Sequence, residues 1–235
     1  MKSVDISLHH YIFPYIHEDG WKFIAAFAVF SLISAIIWFP LGCAFFVLTV
    51  WCFYNFRDPD RVTPVLSSAV VAPADGYIVS ITKEKGPDAL GLQNKNFTKV
   101  SVFSSLFDAH VNRIPIKGKI NKIFYDAGKS STGNFNKNDL GNEKLVFSLR
   151  NSENLDFVLQ QTVVFCGKRI ATNIKSGEEY KTGNRFGIIR FGGYTDIYLP
   201  DKVQPLVCVG QKMVAGETIV ADISSDAPRM EGEIR

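Results

Sequence analysis

The stretch FIAAFAVFSLISAIIWFPLGCAFFVLTVWCFYNFRDPDR, residues 23–61, divides the chain into two kinds of sequence. From Phe23 to Phe56 no side chain is charged, and Arg57-Asp58-Pro59-Asp60-Arg61 then closes the run with charges around a proline. One membrane-crossing helix takes roughly 20 apolar residues, and two full spans would take roughly 40. The run falls between those lengths. Phe39-Pro40-Leu41-Gly42 interrupts it, and proline with glycine close behind is a breaker cluster. Two readings follow: a helical hairpin, about Trp21–Trp38 and Cys43–Phe56, that enters a bilayer and returns, or one long tilted helix kinked at Pro40. The hairpin is favoured, because such a pair marks a turn more often than a kink. A buried helix pair of a soluble core would carry a polar stripe, and none is present. Trp21, Trp38, Trp51 and Tyr54 stand near the ends of the two halves, where amphipathic rings prefer a membrane interface. Acidic Glu18 and Asp19 precede the run, which argues against a cleaved signal peptide.

Beyond Phe56 the pattern changes to short apolar runs between turn residues. They are Ala69–Ala72, Tyr77–Ile81, Lys99–Phe103, Lys119–Tyr125, Leu145–Leu149, Phe157–Phe165, Phe186–Phe191, Asp196–Leu199 and Thr218–Ile223. Runs rich in Val, Ile, Phe and Tyr, separated by Gly, Pro, Asn and Asp, specify strands. Ser104–Ala109 is the one place where a helical turn is expected. The expected fold is therefore mainly β: a compact β-sandwich or half-barrel with a barrel-sandwich-like C-terminal part, preceded by a hydrophobic helical hairpin. The expected division is 1–56 for the membrane-embedded region, 57–223 for the β-rich domain, and 224–235 for a polar tail. Val70–Ile78 and Val207–Ile223 echo one another, each placing a Gly-centred turn between β-branched runs. The second is similar to the half-barrel of lipoyl and biotinyl carrier domains, without the carrier lysine in its usual context.

Composition narrows the function classes. The chain has 235 residues, a net charge of +3 and a pI near 8.6. That suits contact with anionic lipid and is too weak, with no Lys/Arg-rich run, for nucleic acid. Cys43, Cys52, Cys166 and Cys208 form no CxxC pair, so neither a disulfide framework nor a zinc site is expected.

Candidate chemistry is sparse. Of His9, His10, His17 and His110, only His110 lies in the β-rich part. Histidine alone titrates near neutrality without perturbation, which makes it the default proton donor. From composition alone a structural histidine bonded to a carbonyl is the favoured reading. Asp75, in Pro73-Ala74-Asp75-Gly76, is a good turn residue, and Asp-Gly ahead of a strand is a hairpin signal, so turn chemistry accounts for it by itself. Phe186 through Pro200 reads as two strands joined by the Gly192-Gly193 turn.

These segments together resemble the phosphatidylserine decarboxylase family, in its short bacterial and archaeal branch. The resemblance rests on landmarks in order: the apolar segment closing in Phe56–Arg61, then Ala72-Pro73-Ala74-Asp75-Gly76, His110-Val111-Asn112-Arg113-Ile114-Pro115, Gly187-Ile188-Ile189-Arg190-Phe191-Gly192, and Asp196-Ile197-Tyr198-Leu199-Pro200. It implies a proenzyme, a zymogen that cuts itself between a Gly and a Ser, here between positions 192 and 193. The family's cofactor is a pyruvoyl group left on the new small α chain, while the larger β chain stays bound. That group takes the amine of phosphatidylserine as a Schiff base and acts as the electron sink, so that carbon dioxide leaves and phosphatidylethanolamine forms. By resemblance His110, with Asp108 nearby, transfers the proton, and Asp75 belongs to the self-cleavage relay of longer members. Arg113 stands where those members carry the relay histidine. Gly193 stands where the family carries serine, and glycine has no hydroxyl to attack the Gly192 carbonyl. Two functions stay open: a carboxy-lyase, and an inactive membrane-bound relative that binds lipid or protein. Expected partners are phosphatidylserine and membrane lipid, the α and β chains of one precursor if it is cut, and a second copy of the chain. The expected location is the cell membrane, with the catalytic domain on the cytoplasmic side.

Overall fold

The computed structural model describes residues 14–128, 137, 141–164 and 168–224. His9, His10, Cys166, the Phe165 end of one expected strand and the tail beyond Ser224 lie outside the described residues. The chain forms two units: the residues up to Asp60 together with Ala109–Val111, and Arg61–Asp108 together with the residues from Asn112 on.

In the first unit two helices, Gly20–Ile37 and Phe39–Asn55, run antiparallel. The apolar run is therefore a helix pair with a turn between, not one kinked helix. Its break lies one residue before the expected cluster. Trp38 alone is extended, at φ −155° and ψ 107°, and Pro40 sits in the first turn of the second helix. There its missing N–H is harmless and its fixed φ suits the helix, so it opens a helix rather than ending one. Gly42 lets the helices touch. A Cβ built on it would lie 2.5 Å from the Ala35 Cβ, and the Ser31 hydroxyl donates to the Gly42 carbonyl at 2.9 Å. Phe27 and Phe30 stack on Phe45 further along. At 1.5 Å per residue the helices are roughly 25–27 Å long. The first is long and apolar enough to cross a membrane, and the second is shorter. Their outward surface is apolar, with Ile36 87% and Phe39 72% exposed. At the base, β1 (Tyr15–Ile16) pairs with β2 (Arg57–Asp58), and Phe23 stacks on Phe56 with centroids 5.4 Å apart.

The second unit is the β-rich body. In chain order its strands are β3 (Ala69–Val71), β4 (Gly76–Lys85), β5 (Asn96–Ser104), β6 (Val111–Arg113, of which Asn112 and Arg113 belong here), β7 (Gly118–Asp126), β8 (Lys144–Arg150) and β9 (Asp156–Thr162). They continue with β10 (Ile170–Thr172), β11 (Glu179–Tyr180), β12 (Arg185–Ile189), β13 (Gly193–Pro200), β14 (Lys212–Met213) and β15 (Ile219–Asp222). An antiparallel half-barrel has the order β11-β7-β8-β9-β13-β5-β4-β14. A small sheet holds β10, β12 and the Asn112–Arg113 end of β6, and β15 pairs with β3. The two echoing segments are thus partners, Ile219 opposite Val71 and Ala221 opposite Val70.

Burial explains why the central strands are so apolar. β4 and β7 alternate buried and exposed positions, as strands with one wet face do. β8, β9 and β13 are buried on both faces. Val100, Val102, Leu145, Phe147, Leu159, Ile197 and Leu199 fill the main core, and Leu90, Phe97, Val146, Val158 and Tyr198 form a second cluster. Residues Ser104–Ala109 form no helix. Ser105 and Asp108 close a turn there, the Asp108 carboxylate accepting the Ser105 N–H at 2.8 Å and its hydroxyl at 2.7 Å. Short polar side chains that bond the local backbone compete with helix, which is why the turn wins.

One ion pair gives the body an acid limit. Asp156 accepts from Arg150 at 2.7 and 3.2 Å and from Lys95 at 2.6 Å. Burial alone would raise its carboxyl, but the bonds and charges of Arg150 and Lys95 outweigh this and hold it below the usual value. A depressed carboxyl stabilises the fold above its unfolded-state value, about 4, and that contribution is lost as the pH falls through the depressed value. Asp156→Asn is therefore expected to lower the melting temperature at pH 7 and to flatten its decline below about pH 4. An unchanged acid limb in thermal melts would refute this.

Candidate active site

Arg190, Phe191 and Gly192 connect β12 to β13. The expected hairpin is not formed, because the two strands lie in different sheets: β12 pairs with β10, whereas β13 pairs with β9 and β5. The connection is a corner. Phe191 at φ 62° and Gly192 at φ 84° are both left-handed, which turns the chain from one sheet to the other. A bulky residue in that region costs of order 1–3 kcal/mol and persists where its surroundings over-determine it. Gly192 cannot be replaced, since a Cβ there would lie 2.5 Å from the Ser104 carbonyl oxygen. Gly193 opens β13 in ordinary extended backbone. A Cβ on it would lie 2.8 Å from the Thr162 carbonyl oxygen and 3.2 Å from Ile189 Cγ2.

Ser104 links this corner to Asp75. It is the Cα partner of Gly193 across β5 and β13, and its hydroxyl donates to the Asp75 carbonyl at 2.5 Å. The Asp75 carboxylate is held on both oxygens. Oδ2 accepts from Arg61 at 2.6 Å, and Oδ1 accepts the Ala215 N–H at 2.7 Å. With Asp75 only 8% exposed, these bonds keep a charge inside the fold. The Asp75-Gly76 pair makes no hairpin either, because β3 pairs with β15 while β4 pairs with β5 and β14. Gly76, at φ 145°, serves close approach: a side chain there would strike the Phe103 carbonyl. Asp108 stands in the turn that follows Ser104, with its carboxylate engaged by Ser105. The second unit thus brings Asp75, Ser104 and Gly192–Gly193 together on neighbouring strands.

His110 belongs to the first unit and is buried there, 2% exposed. Its Nε2 lies 2.8 Å from Asn55 Oδ1. Asn55 is the last residue of the second helix, and its own Nδ2 donates to the Trp51 carbonyl at 3.3 Å. With Nδ2 directed at a carbonyl, Oδ1 is left as acceptor, so Nε2 of His110 is the donor in this pair.

Sequence reasoning passed over Arg61, Ser104, Ala215 and Asn55. Arg61 stood in the charged segment that closes the apolar run and Asn55 was a polar side chain within that run, but nothing in the sequence tied either to Asp75 or His110. Two further polar groups flank the corner. Asn112 Nδ2 donates to the Thr195 hydroxyl at 2.8 Å. Lys137 reaches Asp196 and Ser101, each at 2.7 Å, and its ammonium lies 4.7 Å from the centroid of the Tyr194 ring.

A pyruvoyl group derives from a residue whose side chain carries a hydroxyl. Gly193 supplies none, and its would-be Cβ already crowds the Thr162 carbonyl. Residue 193 as it stands does not fit that group, although the strained corner, the glycine before it and the Asp75–Ser104 support are all in place.

The comparisons with known proteins give the family. The sequence profile of the phosphatidylserine decarboxylase family matches residues 48–221. A phosphatidylserine decarboxylase proenzyme of Cereibacter sphaeroides is 42% identical over 219 residues, covering 93% of this chain and 94% of the relative. Those of Paramagnetospirillum magneticum, at 38% over 100% of this chain and 98% of the relative, and of Rickettsia akari, at 41% over 90% and 91%, are similar. Profile and relatives agree over most of the chain's length, and the chain belongs to the phosphatidylserine decarboxylase family.

Proposed function

We propose that this chain is built to decarboxylate phosphatidylserine at the cell membrane, and that glycine at position 193 withholds the group on which that reaction depends. The observation that carries the reading is the Phe191–Gly192 corner. A left-handed aromatic followed by an irreplaceable left-handed glycine is a costly feature for a strand connection. It has a use where the peptide bond after Gly192 is to be cut.

The residues divide the work. The apolar helix pair holds the protein at the bilayer, so the two acyl chains need not leave it. Extracting them would cost about 0.8 kcal/mol per exposed methylene. With a serine-derived pyruvoyl group at 193, decarboxylation would call for a proton donor, and His110, its Nε2 tied to Asn55, is the residue this reading assigns to that role. Asp75, clamped by Arg61 and Ala215, holds Ser104 and through it the strand opposite Gly193. The body is placed on the cytoplasmic face, with cut chains of residues 1–192 and 193–235 where a serine occupies position 193.

The test is an assay on vesicles containing phosphatidylserine. Gly193→Ser is expected to release carbon dioxide and form phosphatidylethanolamine, while the unaltered chain does neither. Adding His110→Ala to Gly193→Ser is expected to lower turnover at least about 100-fold without preventing cleavage, the scale of a lost general acid. Absence of decarboxylation in a cleaved Gly193→Ser protein would count against the reading. Binding of phosphatidylserine without turnover in that protein would favour a lipid-binding relative, the alternative for which Gly193 itself speaks.

A further inference from the structure

Gln161, in β9, is fully buried, and neither its Oε1 nor its Nε2 has a hydrogen-bond partner among the described residues. A buried amide in that state costs stability, because both ends have left water and gained nothing. Rules of this kind are broken mostly at functional sites. The position of Gln161 is specific. It is the Cα partner of Thr195 across β9 and β13. Residues opposite one another share a face, as do residues two apart along a strand. Gln161, Thr195 and the side-chain position of residue 193 therefore face the same way. Residue 193 is the diagonal neighbour of Gln161, a separation of about 7–8 Å that a long side chain bridges.

Among the described residues the other occupants of this face make no bond to the amide; Ser104, opposite residue 193 on β5, spends its hydroxyl hydrogen on the Asp75 carbonyl. Leu145 lies opposite Gln161 on β8, and Leu159 and Val163 flank it along the chain; all three are buried and apolar. Thr195 already accepts from Asn112 at 2.8 Å. Glycine at 193 brings no polar atom to the face. Serine there would place an oxygen on the side where the unpartnered amide lies.

We infer that Gln161 is a positioning residue for residue 193, its amide being the hydrogen-bond partner of the oxygen that a serine at 193 carries. This rests on the reading given under Proposed function. The amide holds that oxygen toward the Gly192 carbonyl and does not itself react. With Gly193 that oxygen is missing, which accounts for an amide without a partner among the described residues.

Four full-length proteins in detergent test this: the unaltered chain, Gly193→Ser, Gln161→Leu and the double variant. Leucine keeps most of the volume and removes both polar atoms. If Gly193→Ser cleaves, the double variant is expected to cleave on the order of tenfold more slowly, and equal rates overturn the assignment. If Gly193→Ser stays whole, the four proteins close a cycle in chemical denaturation. Serine at 193 is then expected to favour folding about fivefold more with Gln161 than with leucine in its place, and additivity overturns the assignment. A merely structural Gln161 would shift stability equally in both backgrounds and leave the cleavage rate alone. Failure of Gly193→Ser to cleave, with the coupling present, counts against the proposed function and supports the role of Gln161.

Discussion

Gly193→Ser is expected to turn one chain of 26.2 kDa into two pieces, residues 1–192 and 193–235, on a denaturing gel. The unaltered chain is expected to run whole. Chemistry sets the direction. The serine oxygen attacks the Gly192 carbonyl carbon, the peptide C–N bond breaks, and an ester takes the place of the amide. Elimination across the serine Cα–Cβ bond then frees the Gly192 carboxylate. An intramolecular attack of this kind gains greatly from correct placement, with effective molarities of about 10⁵ M or more in well-oriented systems. Placement is what the corner supplies. Phe191 and Gly192 are held left-handed, and Ser104 fixes the strand beside them. The new Cβ must displace the Thr162 carbonyl by a few tenths of an ångström from 2.8 Å. Gly193→Ala controls for that movement: it adds the same Cβ without the hydroxyl and is expected to stay whole. Two bands from the unaltered chain, or from Gly193→Ala, would show that the cut does not depend on a hydroxyl at 193.

Asp75→Ala is expected to have the second largest effect, on stability and on cleavage together. It leaves the Ala215 N–H without its acceptor and Arg61 without its counter-charge; the Arg61 side chain is only 18% exposed. Breaking such a pair from one side costs up to about 3–5 kcal/mol when it is fully buried, and a partly wet guanidinium reduces this to about 2–3 kcal/mol. Asp75→Asn separates shape from charge, because its amide oxygen still accepts from Ala215. In the Gly193→Ser background Asp75→Asn is expected to retain most of the stability and lose most of the cleavage rate, if the carboxylate helps remove the serine proton. Equal cleavage by Asp75→Asn and its Gly193→Ser parent would reduce Asp75 to a support for Ser104.

The sequence carried the site unevenly. Asp75, His110, Gly192 and Gly193 stand out as candidates from the motifs around them, and the absence of a hydroxyl at 193 needs no structure to see. The supports were not recognisable. Ala215 lies 140 positions from the carboxylate it caps, and Asn55 lies 55 positions from His110. Ser104 reads as an ordinary strand end until β5 is aligned with β13. The two expected hairpins, at Asp75-Gly76 and Gly192-Gly193, failed for one reason. A glycine turn shows that the chain bends, and cannot show whether the next strand returns beside the last or joins another sheet. Here the pairing made the difference: β13 lies between β9 and β5, while β12 lies beside β10, so the bend at Phe191–Gly192 passes from one sheet to another.

By itself the sequence determined the apolar helix pair, the β-rich body and the missing nucleophile. These follow from hydropathy, residue type and local period, which act over a few residues at a time. Tertiary structure alone decided which strands meet at residue 193, what clamps Asp75, and that Gln161 has no hydrogen-bond partner among the described residues. Those facts depend on strand register, and register is a choice among pairings of distant segments made by the burial of a whole face at once.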